Sequence, residues 1–252
     1  MSARSRGLPA AGAVVLVIST ASCSTSFGIP RGGTAQGQDT FDLWRVFFLS
    51  AAVVASIVYG LIFWCIIRYR RRRADDPDAL GDQVRANVPI EVLYTVLPFV
   101  LATTLFILTF RTEQGIDDVS PNPDLVLNVQ GYTWGWRFTY PGEGVSVMST
   151  PSGEGVPGPQ IVLPLGRTIR VVLTSNDVIH AFWVPEFLFK RDAIPGRPTQ
   201  FDLTTTEAGT FRGQCAEFCG LNHAYMTFTV RVASPEEYTT WLDAQRAGAA
   251  AA

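Results

Sequence analysis

The sequence predicts a hairpin of two membrane-spanning helices followed by an all-β Greek-key domain, and three observations carry that reading. Hydrophobic residues make up 47% of the 252 and charged residues only 17%, and the apolar ones crowd ahead of residue 111. Two runs in that region are long and apolar with no polar face, and five arginines follow directly on the first of them. Beyond residue 120 the pattern changes to short alternating or β-branched runs punctuated by Gly and Pro.

Residues 1–22 read as a targeting segment. Arg4 and Arg6 supply positive charge, residues 10–18 an apolar core, and Ser19-Thr20-Ala21-Ser22 leads to Cys23. The pattern resembles a bacterial lipoprotein signal with Cys23 as the lipidated first mature residue, although Thr20 stands where Leu is usual. Plain signal-peptidase cleavage nearby and a retained anchor are the alternatives. Residues 23–42 are then a short exported segment.

Residues 43–67, LWRVFFLSAAVVASIVYGLIFWCII, are apolar apart from Arg45. As a helix they reach roughly 37 Å at about 1.5 Å per residue, enough to cross a bilayer core with some tilt. Residues 88–110, VPIEVLYTVLPFVLATTLFILTF, form the second span, with Glu91 near the start and Pro98 inside. A buried core helix is the bland alternative, but both runs exceed the usual soluble length. Cys65, inside the first span, reads as a small apolar filler. The connecting residues 68–87 hold Arg68 and Arg70 to Arg73, and short basic loops stay in the cytoplasm. Everything after Arg111 is thereby placed outside.

Residues 112–246 make the exported domain, with strands expected at 125–130, 135–140, 145–148, 160–163, 168–174, 182–184, 200–204, 209–214 and 226–232. Residues 141–159 are loop-like around the short strand they contain. Many short strands at this spacing indicate a β-sandwich or Greek-key barrel. Near the end, Ser234 is set to cap a helix, with Pro235 in its first turn and Glu237 completing a capping box. An Ala-rich tail at 247–252 is expected to be disordered. Residues 112–252 carry fifteen acids against nine bases, a net of −6, whereas the first 111 carry seven against eleven, a net of +4. An acidic exported domain does not suit nucleic acid; it suits a basic protein partner.

The chemistry concentrates in GQCAEFCGLNHAYM, residues 213–226, although the whole chain has only four Cys, two His and three Met. A structural disulfide between Cys215 and Cys219 is the plain reading. It would close a very short loop, stabilise little, and leave His223 and Met226 unexplained. Zinc prefers other Cys spacings and does not take Met. A mononuclear blue-copper site takes one Cys, two His and a weak axial Met, which leaves one cysteine over. Two thiolates can instead bridge two coppers with one imidazole for each, and the second imidazole available is His180, in SNDVIHAFWVP.

At these residues a resemblance becomes specific. SNDVIHAFWVPEFLFKRDAIPGRPTQF followed by GQCAEFCGLNHAYM spells H…C-x3-C-x3-H-x2-M and resembles subunit II of haem–copper cytochrome c oxidase, with its dinuclear CuA centre. With the hairpin and the Trp-rich QGYTWGWRF, the likeness covers roughly residues 40–245. It implies a cupredoxin-like Greek-key domain in which His180, Cys215, Cys219, His223 and Met226 give side chains to copper and Glu217 gives its main-chain carbonyl. It implies further that the Glu217 carboxylate binds a magnesium ion shared with subunit I, against a plain reading as a solvated loop acid. Glu91 would help admit protons to a channel of subunit I, against a plain reading as a membrane-boundary residue. Trp134 would receive electrons from cytochrome c, with Trp136 in the core; paired aromatics in a strand are otherwise packing.

The implied activity passes electrons from cytochrome c to haem in subunit I, where oxygen is reduced to water with proton translocation. The implied partners are oxidase subunits I and III and cytochrome c, soluble or held in a supercomplex. The implied place is a bacterial plasma membrane with the copper domain on its outer side. This chain would hold no complete active site. Three other readings compete. Nitrous oxide reductase carries a similar copper motif but lacks the hairpin, and a metal-free quinol-oxidase subunit II does not need the ligand set. A membrane-tethered copper-delivery protein has one span and a thioredoxin-like domain.

Overall fold

The computed structural model describes residues 27–70, 84–149 and 153–250. The targeting segment with Cys23 and the arginines Arg71 to Arg73 lie outside the described residues. Two long helices come first, α1 (Ala35–Arg68) and α2 (Val88–Asp117). Both pass the length and hydropathy expected of a membrane span, and none of either apolar stretch is buried within the chain. Large side chains such as Phe63 and Phe99 stand 61% and 72% exposed, which a water-soluble fold would not tolerate in such number. Cys65 faces outward on α1.

Each helix is longer than its apolar run. Helix α1 starts at Ala35, ahead of the predicted 43, because Thr34 caps it by accepting from the Gly37 amide at 3.1 Å. That polar first part lies against the β-domain: Gln36 Oε1 accepts from the Thr204 amide at 2.9 Å, and Gln38 donates to Thr206 Oγ1 at 2.9 Å. Helix α2 runs on to Asp117, past the predicted 110. Its start is capped by Asn87, whose side chain accepts from the Ile90 amide.

Among the described residues, ten strands follow in two five-stranded sheets. The first orders as β3 (Val145–Met148), β2 (Gly135–Tyr140), β1 (Leu125–Tyr132), β5 (Thr168–Ser175) and β8 (Thr199–Thr204). The second orders as β4 (Gln160–Pro164), β10 (Thr227–Ala233), β9 (Gly209–Cys215), β6 (His180–Val184) and β7 (Phe189–Ala193). The β1–β5 and β4–β10 pairs are parallel and the rest antiparallel, and the chain crosses between sheets repeatedly, as a Greek-key sandwich requires. Alternation builds the core. Leu125, Leu127 and Val129 of β1 face Ile169, Val171 and Leu173 of β5 along one row, and Phe182, Phe228 and Val230 come from the opposite sheet.

Nine of the ten strands coincide with predicted ones to within two residues at either end. The tenth, β7, was not expected: FKRDA reads as a charged loop, but it pairs along β6 as an edge strand, where charge is favoured. A C-terminal helix, α3 (Pro235–Ala250), begins with the expected capping box, Ser234 Oγ accepting from the Glu237 amide at 3.2 Å and the Glu237 carboxylate accepting from the Ser234 amide at 3.2 Å. The expectation of disorder from 247 is corrected as far as Ala250, since alanine is the strongest helix former and continues the helix.

Candidate metal centre

Two neighbouring strands and one connection converge on the site. His180 opens β6, Cys215 closes β9, and the β9–β10 connection carries Cys219, the short 3-10 turn His223–Tyr225, and Met226. The register is held by backbone bonds, from the Cys215 amide to the Met226 carbonyl at 2.9 Å and from the Ala216 amide to the Ala181 carbonyl at 3.2 Å. His180 and Met226 are wholly buried, and Cys215 and Cys219 nearly so.

The donor atoms form a chain of short steps. His180 Nδ1 lies 3.9 Å from Cys215 Sγ, which lies 3.8 Å from Cys219 Sγ. Cys219 Sγ in turn lies 3.5 Å from His223 Nδ1 and 3.8 Å from Met226 Sδ. The Glu217 carbonyl oxygen is 3.3 Å from Cys215 Sγ. The cysteines are free, since a disulfide needs about 2.05 Å between sulfurs. His180, Cys215 and Cys219 place their ligand atoms within 4.8 Å of one another, a buried cluster able to hold a metal ion. The fold thus brings all five ligand side chains and the Glu217 carbonyl of the sequence reading into one place.

Around them stands a layer of which the sequence reading picked out only Trp136, as a core residue. Asp177 Oδ1 sits 2.8 Å from His180 Nε2, so the imidazole is held from behind while Nδ1 faces the thiols. Asp177 also accepts from the Thr133 amide and hydroxyl and from the Val178 amide. Gly131 of β1 is where the opposite sheet meets the site: a Cβ there would come within 2.9 Å of the His180 ring. Trp136 closes the floor, fully buried, its ring centroid 6.2 Å from His180 and 5.4 Å from Phe228.

Electrostatics divide the two thiols in the metal-free chain. Burial raises the Cys215 pKa, but hydrogen bonds from His180 and from the Ala181 backbone outweigh it and bring it down to about 7. Burial and the neighbouring Cys215 charge push Cys219 up to about 12. Burial opposes protonation of His180, yet its bonds to Cys215 and Asp177 prevail and its pKa is raised. Burial also works against the Asp177 carboxylate, but four hydrogen bonds overcome this and lower it to about 2.

Trp134 is half-buried over the cluster rather than freely exposed, and its indole N–H donates to the Cys219 carbonyl at 2.9 Å. Gly220, at φ 112°, lies directly under that ring. Glu91 is far from this site in the chain, in the first turn of α2, where its carboxylate accepts from the Asn87 amide at 3.0 Å.

Two family profiles match the chain, that of the cytochrome c oxidase subunit II transmembrane domain over residues 22–112 and that of the subunit II periplasmic domain over residues 157–233. A protein of Streptomyces coelicolor named "Probable cytochrome c oxidase subunit 2" is 38% identical over 88% of this chain and 82% of its own length. The chain belongs to the cytochrome c oxidase subunit 2 family. A Mycobacterium bovis cytochrome c oxidase subunit 2 is 30% identical over 92% of this chain and 78% of its own length. Among solved structures, the periplasmic domain of subunit II of cytochrome oxidase from Bradyrhizobium japonicum is 34% identical, covering 52% of this chain and 99% of that one at a TM-score of 0.47. As a family member the chain is a subunit of a terminal oxidase, an oxidoreductase complex, with other oxidase subunits as neighbours. Its hairpin lies in the plasma membrane and its β-sandwich on the extracytoplasmic side. The copper-delivery alternative is not favoured: two spans and a ten-strand sandwich stand where one span and a thioredoxin-like domain were needed.

Proposed function

We propose that this chain is the electron-input subunit of its oxidase, holding two coppers between His180, Cys215, Cys219, His223 and Met226, with the Glu217 carbonyl as a further ligand. The observation that carries it is the 3.8 Å separation of two buried, unbonded thiols, each with a histidine Nδ1 close by. Soft sulfur and imidazole donors in a dry pocket suit copper, and the thioether is the weakest of them. Bound there, a dinuclear copper centre supplies one-electron chemistry between cytochrome c and the haem of subunit I, where oxygen is reduced to water with proton translocation.

The chain's own residues do the rest. Strands β6 and β9 and the bond between Cys215 and Met226 hold the donors in place before metal arrives, so little rearranges on a change of charge. Trp134 covers the cluster from the outside and serves as the aromatic contact for cytochrome c, bonded directly to the Cys219 main chain. The Glu217 side chain, on the same loop, is free to share a magnesium ion with subunit I. Glu91 keeps one carboxylate oxygen for protons on the cytoplasmic side while the other caps α2. Subunits I and III flank the exposed faces of α1 and α2, and the acidic domain guides a basic cytochrome c, soluble or within a supercomplex.

The test is metal content. The full-length chain, purified in detergent and loaded with copper, is expected to bind two coppers and show a mixed-valence signal shared over both. Cys215→Ser should abolish that signal and Met226→Leu should mainly move the potential. One copper per chain, or a blue mononuclear spectrum, would falsify the reading.

A further inference from the structure

Asp177 lies in the connection between β5 and β6, and its two carboxylate oxygens look in different directions. Oδ1 meets His180 Nε2 at 2.8 Å and accepts from the Val178 amide at 2.7 Å. Oδ2 accepts from the Thr133 amide and the Thr133 hydroxyl, both at 2.7 Å. Thr133 immediately precedes Trp134, whose indole returns to the Cys219 carbonyl. One side chain therefore joins a buried imidazole on β6 to the turn between β1 and β2, and that turn is joined to the second cysteine.

We propose that Asp177 is a positioning residue that holds His180 as the Nε2–H tautomer and yokes it to the Thr133–Trp134 turn, so that one carboxylate fixes both a metal ligand and the surface where electrons arrive. The part concerning metal rests on the copper reading above; the part concerning the tautomer does not.

A carboxylate is the group this position requires. Three of the four hydrogen-bond partners of the Asp177 carboxylate are donors, the Val178 amide and the Thr133 amide and hydroxyl, and the fourth is the His180 ring nitrogen, which the proposal makes a donor too. An ionised carboxylate accepts from all of them. Asparagine has almost the same shape but only one acceptor oxygen, so it can satisfy His180 or Thr133 and not both. With its NH2 toward Thr133 it opposes donor to donor and releases the turn. With its NH2 toward His180 it drives the ring proton to Nδ1, the nitrogen that faces Cys215, and removes that nitrogen as a ligand. Amidation of the orienting aspartate in serine proteases acts through the same tautomer logic.

The experiment uses the full-length chain in detergent. In the metal-free protein with 15N-labelled histidine, at a pH alkaline enough for the His180 ring to be neutral, and with a His223→Gln variant to assign the two rings, His180 is expected as the Nε2–H tautomer, and Asp177→Asn is expected to shift or mix it. In the copper-loaded protein, Asp177→Asn is expected to bind copper about 10–100-fold more weakly, the usual cost of losing an outer-shell partner, and to show a raised reduction potential, because an imidazole without its carboxylate is a less basic ligand. Thr133→Val, which removes one donor to the same oxygen, should move the potential less and in the same direction. Melting temperatures should stay within a few degrees. A merely structural Asp177 would lower the melting point and leave tautomer and potential alone, and that result overturns the proposal. So does an Nδ1–H tautomer in the wild-type metal-free chain. A wild-type chain that takes up no copper overturns the copper reading instead, and the tautomer measurement still decides for or against Asp177.

Discussion

Replacing Trp136 and Trp134 by alanine in turn separates packing from electron transfer. Trp136 is fully buried, ringed by His180, Phe138, Phe182 and Phe228 at centroid distances of 5.4–6.3 Å. Removing an indole from such a place costs about 3–5 kcal/mol. The hydrogen bond from its Nε1 to the Met226 carbonyl is long, at 3.4 Å, and that carbonyl keeps its bond from the Cys215 amide, so no acceptor is orphaned. The loss is therefore almost all cavity. For a domain of this size roughly 3–4 °C is lost per kcal/mol, so Trp136→Ala should melt about 10–20 °C early. Trp134 is half-buried and makes one good bond, to the Cys219 carbonyl at 2.9 Å. Its removal should cost about 1–2 kcal/mol, a third of the other. Stopped-flow reduction of the copper-loaded chain by cytochrome c, beside calorimetric melts of both variants, reads the two effects apart. Trp134→Ala should slow reduction far more than it lowers stability or weakens docking, and Trp134→Phe should recover part of the rate. A Trp134→Ala chain that melts as early as Trp136→Ala yet is reduced at the wild-type rate would refute the electron-input role and make both tryptophans core.

Three further outcomes follow from the structure. Asp202 is buried in an ion pair with Arg170 and accepts from the Ser120 amide at 2.7 Å, so Asp202→Ala strands a charge and should cost about 3–5 kcal/mol in thermal melts. Tyr238 has a buried hydroxyl with no partner, and burial, with Glu143 nearby, pushes its pKa up to about 12. A phenol whose folded pKa is raised contributes stability present below its ordinary 10 and lost as pH rises through 12, so Tyr238→Phe should be neutral or about 1 kcal/mol more stable at pH 7 and should flatten the alkaline decline between pH 10 and 12. Glu91→Gln keeps an acceptor for the Asn87 amide and removes only the charge, so it should slow turnover of the assembled oxidase while leaving copper reduction by cytochrome c unchanged; unaltered turnover would leave Glu91 as a helix cap.

The parts of the fold that hydrophobicity writes were legible in the sequence, and the parts that tertiary contact writes were not. Both spans and nine strands followed from apolar runs and alternation; the scarcity of Cys, His and Met singled out the loop at 213–226, and the family resemblance supplied the five candidate ligand side chains. The first turns of α1 are polar and carry no such signal; Gln36 and Gln38 are helical there because Thr34 caps them and the β-domain accepts their side chains. In β7, Lys190, Arg191 and Asp192 conceal a strand whose only strand partner among the described residues is β6. Asp177 was missed for a different reason. An acid three residues before a histidine is common, and only the direction of the Nε2–Oδ1 contact, with Thr133 arriving from a strand of the other sheet, reveals what it does. Gly131 is similar: its meaning lies in the His180 ring above it.

Strand β8 explains how the site is kept at a set height over the membrane. The first turn of α1 and the segment ahead of it are bonded to its end, with Thr34 bridging Thr205, the Thr206 amide donating to the Gly33 carbonyl at 3.0 Å, and the Thr204 amide donating to Gln36. The segment after α2 is bonded to its middle, where Asp202 and Arg170 together grip both the amide and the carbonyl of Ser120. Arg191 of β7 adds a pair with Asp117, the last residue of α2. Residues 118–124, DVSPNPD, would read as a loose linker by composition, yet they cannot swing while those bonds hold. Electron transfer between sites weakens steeply with distance, so a centre on a hinged domain would work only in a fraction of its positions. Both exits of the hairpin meet one strand, and that strand pairs with β5, whose connection to β6 carries Asp177 and leads to His180. The hydrogen bonds that fix the domain on its helices and those that hold His180 thus meet at β5, which pairs with β8 in the first sheet and leads across to β6 in the second.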